Sequence, residues 1–73
     1  MKRAEAVALL KELGAEGLIQ PSFVLVEQRS LDNYQLQIKG NYNFQEIEMF
    51  VKNRFALEEC MGYLVFNTPQ VKS

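Results

Sequence analysis

Histidine and tryptophan are absent from this sequence, cysteine occurs once, proline twice and glycine four times. Each shortage removes a class of chemistry. Without histidine the chain lacks the usual general base near neutral pH and the usual orienting partner of a nucleophile. A single thiol, Cys60, cannot form a disulfide within the chain, and a structural zinc site needs Cys and His ligands in numbers that are missing. No apolar run approaches the ~20 residues of a transmembrane helix. Basic residues are not in excess: eight Lys and Arg stand against nine Asp and Glu, for a formal charge of −1. That balance counts against a nucleic-acid binder, which usually carries a basic surplus.

What is present suits one folded domain. With 48% hydrophobic and 23% charged residues the chain is too apolar for disorder. Its 73 residues allow a single compact α+β domain spanning 1–73. A chain this short buries only about 60% of its unfolded surface, and small folds of this kind commonly gain stability from a partner subunit. The start, Met1-Lys2-Arg3-Ala4-Glu5, opens like a signal peptide, but Glu5 and then Lys11-Glu12 interrupt it. It is read as a helix, and the protein is expected to be cytoplasmic.

Hydrophobic period supplies the elements. Ala6, Leu9, Leu10 and Leu13 share one side of a first helix, ended by a left-handed residue at Gly14 or Gly17. Phe23 to Arg29 reads as a strand whose first four residues are apolar on both sides, the pattern of a central strand. Turn chemistry at Ser30-Leu31-Asp32-Asn33 leads into Tyr34 to Lys39, which alternates cleanly. Asn43 followed by Glu46 marks the start of a second helix, with Phe44, Ile47, Phe50, Val51 and Phe55 along its apolar arc. Cys60 to Asn67 reads as one last strand, closed by Thr68-Pro69, and the final four residues are expected to fray. The segment Leu57-Glu58-Glu59 fits strand, loop or helix end equally.

This order, α-β-β-α-β, predicts a two-layer sandwich: a three-stranded antiparallel sheet, strand order 2-1-3, with two helices on one face. Helices on one face leave the other bare. Alternation in the first strand groups Phe23 with Leu25 and Val24 with Val26. In the last strand it groups Leu64 with Phe66 and Met61 with Tyr63 and Val65. Whichever set faces the helices, four or five sizeable apolar side chains remain, and a patch of that size marks an interaction surface. The expected contact residues are Val24, Val26, Met61, Tyr63, Val65 and Arg54. The expected partner is a second copy in a two-fold dimer, or another protein.

Other chemistry is thin. Glu58 and Glu59 beside Cys60 raise rather than lower a thiol pKa, so Cys60 is expected to be a small buried apolar residue. No calcium loop, phosphate-cradling glycine loop or dinucleotide fingerprint occurs. Gly62-Tyr63-Leu64-Val65-Phe66 weakly echoes the aromatic strand of RNA-recognition sheets, but Met61 and Val65 occupy positions where a basic and an aromatic residue belong. With Arg29 and Lys39 it supports a secondary expectation of weak single-stranded nucleic-acid binding. Arg54 falls inside the apolar arc of the second helix, so it either lies past the helix end or is paired at an interface. Tyr42 either staples the helix start or meets a ligand. The sequence thus reads as a non-catalytic interaction protein with no cofactor, no metal site and no catalytic residues.

Overall fold

A computed structural model describes residues 1–68, in the order α1 (Arg3–Ala15), β1 (Ile19–Ser30), β2 (Asn33–Tyr42), α2 (Phe44–Val51), β3 (Ala56–Cys60) and β4 (Tyr63–Asn67). Two helices and an antiparallel sheet bear out the α+β class, but the sheet has four strands rather than three, in the order β1-β2-β4-β3. The expected order 2-1-3 fails for one local reason. What reads as a single strand from Cys60 is broken at Met61 and Gly62, whose φ angles of 52° and 85° make a two-residue hairpin turn. The chain ahead of that turn becomes β3, which settles the undecided segment Leu57-Glu58-Glu59 as strand. β4 then folds back between β3 and β2, antiparallel to both. The final four residues, expected to fray, lie outside the described residues.

Helix α1 buries Ala6, Leu9 and Leu13, the side picked out by the sequence period. Its stop comes at Gly17, with φ 69°, where the Leu18 N–H reaches back to the Leu13 carbonyl at 3.0 Å. Helix α2 starts as expected, the Asn43 side chain accepting the Glu46 N–H at 3.1 Å. It ends at Val51, short of Phe55, because Lys52 and Asn53 turn left-handed at φ 48° and 67°. Arg54 therefore lies beyond the helix. The segment ahead of α1 is tied down as well: Met1 is buried, its carbonyl accepting the Tyr34 N–H at 2.6 Å and its amino group donating to Asn33 and Thr68.

One core joins the layers. Leu36 and Ile38 of β2 stand opposite Phe66 and Leu64 of β4. All four are fully buried in one cluster with Leu9 and Leu13 of α1 and Ile47 and Val51 of α2. The interior strands are thus β2 and β4. The first strand, expected in the middle, is an edge: it pairs with β2 alone among the described residues. Its Val24 and Val26, opposite Ile38 and Leu36, lie on the helix side and pack against the core. None of the helices among the described residues is long and apolar enough to cross a membrane.

Candidate interaction face of the sheet

The side of the sheet away from the core is set by the same registers. Across β1 and β2, Phe23 stands opposite Lys39, Leu25 opposite Gln37 and Glu27 opposite Gln35. Gln37 is in turn opposite Val65, and β3 contributes Glu58 opposite Val65, Cys60 opposite Tyr63 and Ala56 opposite Asn67. One end of this face is aromatic and cationic. The Phe23 and Tyr63 rings meet edge to face, 6.2 Å between centroids, and Lys39 Nζ lies 5.7 Å from the centre of the Tyr63 ring. The opposite end is a polar lattice. Gln37 donates to Glu27 at 3.0 Å and to Gln35 at 2.7 Å, Gln35 donates to Asn67, and Arg29 pairs with Glu27 at 3.1 Å.

Exposure differs across the face. Phe23 is 50% exposed and Leu25 37%, whereas Val65, walled in by its neighbours, is only 5% exposed. A shallow depression of about 330 Å³ runs beside it, lined by Gln37, Glu58, Cys60, Tyr63 and Val65 with Arg29 at its rim. Cys60 is exposed rather than buried, a correction that follows from its place at the end of an edge strand on this side. No group of three or more potential metal ligands occurs among the described residues.

The six residues singled out from sequence do not converge. Tyr63 and Val65 lie on this face. Met61 sits at the hairpin tip beside it, 91% exposed. Val24 and Val26 lie on the opposite, core side. Arg54 is distant from all of these, held against α1. Its Nε donates to the Val51 carbonyl at 3.2 Å, its guanidinium reaches Glu12 at 3.6 Å, and the Phe50 and Phe55 rings flank it at 5.8 Å. It is both past the helix end and paired. Both partners of the Glu12 ion pair are half exposed, so Arg54→Ala is expected to lower stability by no more than about 1 kcal/mol in urea denaturation. Sequence reasoning missed Phe23 and Leu25 as face residues. Strand alternation put them together but gave no sign of which set looked toward the helices.

Tyr42 joins the covered side instead. Its hydroxyl donates to Glu59 Oε2 at 2.9 Å, tying the end of β2 to β3. Partial burial raises its pKa above 10.0, and the hydrogen bond to Glu59 and the Glu59 charge push the same way. The folded state thus holds this proton longer than the unfolded chain does. The stabilisation is intact below pH 10 and fades as pH climbs through the raised value. Tyr42→Phe is expected to cost about 0.5–1 kcal/mol near neutral pH. Urea midpoints of the two proteins should converge as the solution becomes strongly alkaline.

Comparison with protein-family models, curated proteins and solved structures finds no match to this chain.

Proposed function

We propose that this protein is a non-catalytic interaction module that self-associates through the uncovered side of its sheet. One observation supports the reading above the rest: in a sheet roofed on a single side, Phe23 and Leu25 stay exposed next to Tyr63. Full burial of such a side chain contributes roughly 1.5–3 kcal/mol, of which association would add about half or less at these part-exposed positions. The amide and carboxylate lattice of Gln35, Gln37 and Glu27 would give that contact a polar flank at one end. A cytoplasmic location goes with this reading on the sequence grounds given above. Sedimentation equilibrium tests it. A dimer at tens of micromolar, shifted toward monomer by Phe23→Ser or Tyr63→Ser, is the expected outcome, and a wild-type monomer at that concentration overturns it.

A second reading, binding of single-stranded nucleic acid, draws on the corner where Phe23, Tyr63 and Lys39 meet. Exposed rings beside a cation offer a stacking platform for bases. Glu27 and Glu58 on the same face oppose it. Titration of a labelled single-stranded oligonucleotide at low salt decides: absence of binding removes this reading.

A further inference from the structure

The two edges of the sheet are guarded very differently. β3 is five residues long and carries Glu58 and Glu59, the short, charged kind of edge that resists pairing. β1 runs for twelve residues. Its blunting devices, Pro21 with a register shift before Phe23 and Arg29 with another after Gln28, lie at its two ends. Between them Phe23-Val24-Leu25-Val26 is apolar on both sides, a sequence suited to the inside of a sheet and found on its rim.

We propose that β1 pairs antiparallel with β1 of a second copy across a two-fold axis at Leu25, joining two four-stranded sheets into one of eight strands. This rests on the reading of the chain as self-associating and names a different surface for it, the strand edge. Geometry narrows the register. A two-fold axis perpendicular to the sheet keeps each face on its own side, so residues opposite each other must come from the same face. Only axes centred on a residue satisfy that. The stretch without register shifts is Phe23 to Gln28. An axis at Leu25 sets Leu25 against the partner's Leu25, Val24 against the partner's Val26 and Phe23 against the partner's Glu27, all within that stretch. An axis at Val26 sets Leu25 against Glu27 and Val24 against Gln28. An axis at Val24 draws in Ser22 at the irregularity. Axes at Glu27 or Arg29 would oppose like charges.

The size of the contact sets its strength. The five paired residues, Phe23 to Glu27, extend about 17 Å at ~3.3 Å each, and a layer about 10 Å thick gives on the order of 170 Å² per copy. That is well below the ~800 Å² per partner of a stable dimer, so the pair is expected to be weak and its population to rise with protein concentration. A closed two-fold pair also uses up the free edge, which an open chain of contacts would not.

The test uses a Cys60→Ser background and a short bifunctional thiol reagent. Leu25→Cys is expected to give a covalent dimer. Gln37→Cys, one strand further in, is not, because three strand spacings separate it from its counterpart by about 14 Å. Leu25→Lys and Leu25→Glu should each sediment as monomers and re-associate when mixed. Failure of Leu25→Cys to cross-link in a protein that still sediments as a dimer overturns edge pairing and leaves association through the sheet face standing. Cross-linking of Gln37→Cys as readily as Leu25→Cys does the same, because both side chains lie on that face and a face-to-face contact reaches both. A protein that is monomeric throughout overturns both.

Discussion

Phe66→Ala is expected to leave the protein largely unfolded near physiological temperature. Phe66, next to last in β4, is fully buried, opposite Leu36 on one side and Leu57 on the other. Truncating a buried Phe costs about 3–5 kcal/mol, the lost transfer energy plus the cavity left behind. A core of this size supplies about 3–5 kcal/mol in all, so the substitution consumes most of the net stability. Far-UV circular dichroism and urea titration read the result directly. Phe23→Ser, at a half-exposed ring on the other side of the sheet, should leave the midpoint of the same titration nearly unchanged. Equal midpoints for Phe66→Ala and wild type would mean that the helices do not pack on the face bearing Phe66.

Gly40→Ala comes next in size, and its cause is backbone rather than burial. Gly40 has a φ of 147°, which L side chains rarely adopt, and it pairs with Pro21 where β1 carries its first irregularity. A Cβ there would run into the backbone of β1: the Gln20 carbonyl oxygen first, then Ser22 N at 2.8 Å and Pro21 Cα at 2.9 Å. None of these is a flexible side-chain tip that can move aside. The two strands must separate locally or the bulge must be rebuilt, and a loss of at least ~2 kcal/mol is expected. By contrast, Gly14→Ala meets nothing within 4 Å and removes a glycine from a helix, so it should stabilise α1. Thermal unfolding of the two variants side by side separates conformational strain from a general sensitivity to added methyl groups.

These contrasts also show where the sequence was readable. α1 was legible because Ala6, Leu9 and Leu13 repeat at the helical period and Gly17 stops them. The first hairpin was legible because Asp32 sits in a turn between two alternating runs. The second hairpin was not. Its turn is Met61-Gly62, and methionine is not a residue that favours a positive φ, so the apolar stretch from Cys60 concealed the turn and left the strand ahead of it unassigned. That single error moved β1 from edge to centre in the expected topology. Val24 and Val26 enter the expected contact surface for another reason: alternation alone does not say which set of β1 residues meets the helices, and these two lie on the core side. The expectation of a buried Cys60 rests on an unreactive thiol, which does not fix its position; it is exposed where β3 ends at the hairpin turn.

From the order of residues alone come the α+β class, both helices and the start of the second, the first hairpin and the shortage of groups for histidine or disulfide chemistry. Those properties depend on neighbours in the chain: periodicity, caps and turns act over a few residues. Which strand lies inside the sheet, which side of β1 meets the core, and that Phe23 and Tyr63 touch while Arg54 sits apart beside Glu12 depend on pairings between distant segments. The apolar pattern of β1 fits an interior strand and an edge in search of a partner equally well, and nothing local distinguishes them. Packing against α1 and α2 settles the choice, because only one set of faces can be buried at once.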